Sequence, residues 1–107
     1  MNIGALRHVA TIQENDPTAV NAANERVDSW VTFEAGVRCS VKELSGRELE
    51  FAARRVANVT HSVAMRYRSG VTPRMRIVWD SRTLNIEAAL DPEGLQRELN
   101  LLCVEDK

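Results

Sequence analysis

From residue 58 to residue 68 the chain alternates strictly: Val59, His61, Val63, Met65 and Tyr67 fall on one side, and Thr60, Ser62, Ala64, Arg66 and Arg68 on the other. A period of two marks a strand with one buried face, and such a strand calls for antiparallel neighbours. Three more strand-like runs follow at short intervals, residues 75–79, 83–90 and 97–105. They are separated by Gly70 with Pro73, by Asp80-Ser81, and by Asp91-Pro92-Glu93-Gly94. Turn residues clustered between apolar runs punctuate hairpins, so the second half predicts a β-meander. Upstream, residues 3–13 set Leu6, His8, Ala10 and Ile12 against Arg7, Val9, Thr11 and Gln13, a first strand with weaker alternation. Residues 29–43 return to strand character through Trp30, Val31, Phe33, Val37, Cys39 and Val41. Gly36 in their middle predicts a bulge or bend, hence two short strands or one kinked strand.

A single helix interrupts this pattern. Ser45 followed by Glu48 has the spacing of a capping box, Leu44 and Leu49 stand where a hydrophobic staple forms, and Arg54-Arg55 suit the negative end of a helix dipole. The predicted helix covers residues 46–57. Leu49, Ala52, Ala53 and Val56 share one face of it, a stripe able to dock on a sheet. Phe51 points the other way, among Arg47, Arg54 and Arg55, and either folds back against a strand or stays exposed as an interface anchor. Residues 14–28 hold Asn15, Asn21, Asn24, Asp16-Pro17 and a run of small side chains, which favour turns and predict a long loop. Long loops in small domains tend to be functional. The candidate partner-contact residues are therefore Asp16, Pro17, Asn21 and Asn24 in the loop, with Arg47, Phe51, Arg54 and Arg55 on the helix. Together the elements predict a mainly β fold, a small antiparallel β-barrel of about six strands with one inserted helix, closed so that no edge is exposed.

Composition then removes several function classes. With 107 residues the chain is expected to form one domain, residues 1–107, and its 44% hydrophobic and 27% charged residues are those of an ordinary globular protein. Its net charge of −1 offers no general attraction to phosphates. The chain holds five aromatics, so Trp30, Phe33, Tyr67 and Trp79 are expected in core packing rather than as platforms for stacked bases. No apolar run approaches membrane-spanning length, and Met1-Asn2-Ile3-Gly4 lacks the basic start and apolar core of a secretory signal, so the protein is expected to be made and kept in the cytoplasm. Cys39 and Cys103 belong to no CxxC pair and are expected as buried, reduced thiols. His8 and His61 lack carboxylate or cysteine companions at ligand spacing and are expected to be packed side chains rather than metal ligands. With no phosphate loop, HExxH or nucleophile elbow, the chain predicts a protein without enzymatic activity, cofactor or metal.

The ordered series Gly4-Ala5-Leu6-Arg7-His8, Thr11-Ile12-Gln13, Trp30, Glu43-Leu44-Ser45-Gly46-Arg47-Glu48, Thr60-His61, Arg66-Tyr67-Arg68, Trp79-Asp80, Asn85-Ile86 and Leu101-Leu102-Cys103 resembles the head-tail joining proteins of long-tailed bacteriophages, also found in prophages and gene-transfer particles. Asp80-Ser81 stands where that family often has Asp-Gly, and Leu84 where it often has an aromatic. The resemblance implies a structural virion protein at the head-tail interface, assembled in the bacterial cytoplasm. It would be a head-closure or stopper subunit in a homo-oligomeric ring, hexamer or dodecamer, that retains packaged DNA. The implied partners are a portal or adaptor protein on the head side and a tail terminator or other tail protein beyond, with double-stranded DNA crossing the lumen unread and no membrane involved. A small nucleic-acid-binding β-barrel is the alternative.

Overall fold

The computed structural model describes residues 6–16, 18–91 and 94–106; Met1 to Ala5, Pro17, Pro92 and Glu93, which carry part of the readings above, lie outside them. Six strands form a closed antiparallel barrel: β1 (His8–Asn15), β2 (Trp30–Glu43), β3 (His61–Arg66), β4 (Arg76–Trp79), β5 (Arg82–Leu90) and β6 (Glu98–Asp106), with one helix, α1 (Gly46–Ala53), between β2 and β3. The order around the barrel is β1-β2-β3-β6-β5-β4. Within the second half only β4-β5-β6 is therefore a meander, which corrects the expectation that β3 would lead into it. The chain from β3 to β4 is too long for a tight hairpin, and β6 takes the place beside β3, Met65 opposite Leu99 and Val63 opposite Leu101.

Alternation places the core as expected. Ala10, Ile12, Val37, Cys39, Val63, Met65, Ile77, Leu84, Ile86, Leu99, Leu101 and Cys103 fill the barrel, and Phe33, Tyr67 and Trp79 pack against them. Val59 does not join this interior. The ladder of β3 starts at His61, so Val59 turns outward with Val56 onto Leu102, forming a second small core on the barrel's outer wall with Leu44, Ala52, Ala88, Leu90 and Val104 around it. Trp30 also departs from expectation: it lies half-buried beside the barrel with the Arg76 guanidinium 4.2 Å over its ring.

Of the two readings for residues 29–43, one kinked strand holds. Between Val37 and Glu34 the β2 strand has one residue more than β1, and Gly36 takes φ +67 there, a left-handed conformation that glycine adopts without Cβ strain. The helix is shorter than predicted, ending at Ala53 rather than residue 57. Beyond it Arg55 and Val56 both donate to the Ala52 carbonyl, Asn58 takes φ +64, and the chain is drawn down to seat Val56 and Val59. Ser45 occupies the N-cap without a side-chain cap bond, and the capping box does not form. Glu48 instead meets Lys42 Nζ at 2.6 Å, an ammonium being a stronger partner than a neutral backbone N–H. Arg54 and Arg55 follow the last turn rather than lie in it. The docking stripe is reduced to Ala52 with Val56, since Leu49 is 37% exposed and Ala53 lies in solvent.

Candidate protein interface

Two excursions leave the barrel, and they leave from opposite ends. The first joins β1 to β2. The long loop expected for residues 14–28 is present but starts two residues later, because Glu14 still pairs with Val31 and Asn15 with Trp30; within it the two arms stay together through Asp16 N–H to the Ser29 carbonyl at 2.8 Å and a bridge between Val20 and Arg26. It is a structured hairpin. Asn21 Oδ1 accepts from the backbone N–H groups of Ala23 and Glu25, Asn24 takes φ +64 at the tip, and Asp16 Oδ1 accepts from both the N–H and the hydroxyl of Thr18. Those Thr18 bonds, backbone first, hold the Asp16 carboxyl below its ordinary pKa. Asp16, Asn21 and Asn24 thus stand on one excursion, which the side chains of Asp16 and Asn21 help to shape; Pro17 lies outside the described residues. Val20, Val27 and Val31 are exposed on the same excursion.

The second excursion, at the other end of β2, carries α1. Arg47, Phe51, Arg54 and Arg55 are all exposed on it, the first two within the helix and Arg54 and Arg55 just past its end. Phe51 does not fold back: it is 61% exposed, with the Arg54 guanidinium 5.0 Å from its ring centre. Nearby at this end a polar network ties β3, β5 and β6. Arg82 donates to both oxygens of Glu105 at 2.7 and 3.0 Å, and this carboxylate raises the Arg82 pKa. Buried His61 sets Nδ1 2.8 Å from Thr60 Oγ1 and Nε2 4.0 Å from Glu105. His8 accepts from Val41 N–H at 3.0 Å and stands edge-on to Trp79, so both histidines are packed, hydrogen-bonded side chains. Cys39 and Cys103 are buried free thiols pushed by burial up to about 11 and about 12, far from the reactive thiolate range.

Two grooves went unforeseen. One, of about 510 Å³, lies at the root of the hairpin among Glu14, Asn15, Arg26, Trp30, Thr72, Arg74 and Met75. The other, of about 330 Å³, is lined by Leu6, Gly36, Arg38, Arg66 and Arg68 on the wall of β2 and β3. The outward parity of Arg66 and Arg68 was readable from the alternation. That Arg38 joins them depends on the β2–β3 register, which no local signal encodes.

The chain matches the phage head completion protein family over residues 1–106. No curated protein matches it. Among solved structures it is similar to a protein of Shigella flexneri 2a determined in solution, at 28% identity over 98% of this chain and 96% of that one, with a TM-score of 0.77. It also shares its fold with a chain of a native gene transfer agent virion, at 14% identity over 94% of this chain and 96% of that one, with a TM-score of 0.63.

Proposed function

The chain belongs to the phage head completion protein family, structural proteins of the virion rather than a class of enzymes, and from that premise we propose that it is a head-closure subunit. Copies form a ring between the portal-adaptor complex and the tail, retain packaged DNA and offer the tail its docking surface. The observation that carries this reading is the placement of the two excursions. β2 runs 14 residues, with the hairpin at its start and α1 beyond its end. One barrel therefore presents two chemically different ends, which a subunit set between two different neighbours requires. The near-neutral charge suits a lumen through which DNA slides, since each phosphate contact adds affinity and friction. Ring assembly takes place in the bacterial cytoplasm, each copy serving as a single domain.

Phe51, with Arg47, Arg54 and Arg55 around it, is the docking patch for an adjoining protein of the head or tail. An exposed aromatic with a guanidinium beside it and further arginines on the same excursion matches an apolar pocket rimmed by carboxylates. Phe51→Ala and Arg54→Glu should leave the fold intact, because neither side chain is buried, yet reduce infectious yield about tenfold or more, as loss of an interface anchor would. Filled heads without tails, or emptied heads, should accumulate. Normal yields from both variants would make the patch plain solvated surface and remove it from the proposal.

A further inference from the structure

The groove on the β2–β3 wall sets like charges side by side. Pairing of Cys39 with Met65 brings Arg38 next to Arg66 on the outer face, an arrangement that destabilises a sheet unless an anion answers it. Glu34 pairs with Arg68, whose Nε is nonetheless buried without a hydrogen-bond partner, and Glu98 stands opposite Arg66 on β6. Three cations thus face two acids. Val9, 58% exposed, lies opposite Arg38 on β1, and the buried Leu6 forms the groove's floor. A segment both acidic and apolar fits such a site.

The chain itself carries one. Residues 14–28 hold Glu14, Asp16, Glu25 and Asp28 against Arg26 alone, and Val20 and Val27 are 50% and 39% exposed beside them. Asp16 and Asp28 are engaged with Thr18 and Asn15 in holding the hairpin and Glu14 stands at its root, so Glu25 is the acid exposed next to its tip. The hairpin cannot serve its own groove. β2 is one strand, so Trp30 at the hairpin's root is held roughly 25 Å from Arg38, and the tip lies farther out. Only another copy can bring a tip to an arginine groove.

We propose that the hairpin of one copy docks into the Arg38–Arg66–Arg68 groove of the next, Glu25 against Arg38 and Arg66, with Val20 and Val27 against Val9. Each copy then gives one hairpin and offers one groove, a head-to-tail contact that closes into a ring when the rotation between copies permits. The hairpin's own hydrogen bonds prepare it for docking, so little ordering entropy is lost. This contact rests on the ring reading and supplies its lateral interface.

Cross-linking in purified particles tests it. In an E25C/R38C variant a short bis-maleimide should link subunits into a ladder on a denaturing gel, while E25C and R38C alone give none; the buried native thiols do not compete. R38E/R66E, at exposed positions, should keep native circular dichroism but lower particle yield about tenfold or more, and adding Glu25→Arg should restore much of it. Ring density at the head-tail junction with no ladder, and wild-type yields from R38E/R66E, would overturn this contact while leaving the ring intact. Salt-dependent binding of duplex DNA that R38E/R66E abolishes, again with no ladder, would assign the groove to phosphates and overturn it too. Particles without any ring density would defeat the ring and the contact together.

Discussion

Asp80 and Ser81 join β4 to β5 in a two-residue turn with φ +50 and +60, both left-handed. Such a turn matches the twist of a hairpin but favours Asn or Gly, because an ordinary side chain in that region is strained by about 1–2 kcal/mol. Asp80 tolerates it better than Ser81. Ser81→Gly should therefore raise stability by about 0.5–1 kcal/mol, read as a higher urea midpoint at unchanged slope; an unchanged or lower midpoint would mean that the serine is better accommodated than its dihedral suggests. Val63 shows the opposite sensitivity. It is fully buried between β2 and β6, opposite Val41 and Leu101. Val63→Asp puts an unpaired carboxylate there at several kcal/mol, enough to prevent folding of a small domain. A soluble variant with native circular dichroism would contradict the assignment of this face. At this scale the sequence was most readable: alternation placed Val63 and Met65 on the buried face, and Cys103 was expected as a buried thiol. It failed where a strand stopped, at Val59, and where a cation competed for an aromatic, at Trp30.

Among the elements, all six strands were legible because period-two alternation is local and turn residues bound each run. Their neighbours were not. Whether β3 pairs with β4 or β6 is decided by closure of the whole barrel, and the β3–β4 link is long enough for either. The helix start was legible and its end was not, since helical propensity continues through residue 57 while burial of Val56 and Val59 on Leu102 ends the helix at Ala53. Packing outweighs a few tenths of a kcal/mol of propensity per residue. Both excursions stand outside the main core, and no helix side chain is fully buried. In free protein the amides of residues 18–28 and 44–57 should exchange fastest, and assembly should slow both. Equal protection in free and assembled protein would confine these segments to internal packing.

The molecule as a whole measures 47 × 28 × 26 Å, with a closed barrel that leaves partners only its ends and outer wall. The ends differ, hairpin at one and helix with Phe51 at the other, and the wall carries the arginine groove. The two excursions were legible because long departures from a small barrel are conspicuous in sequence. The groove was not, because Arg38 lies 28 positions from Arg66 and only strand register brings them together. The central claim is that copies of this protein close the head as a ring between portal-adaptor complex and tail. Electron microscopy of particles produced with and without the gene, averaged on the head-tail junction, tests it most directly. The account predicts a ring of barrel-sized density at that junction in complete particles, and its loss without the protein, together with tailless heads that release their DNA. Complete, DNA-filled, tailed particles made in its absence would contradict it.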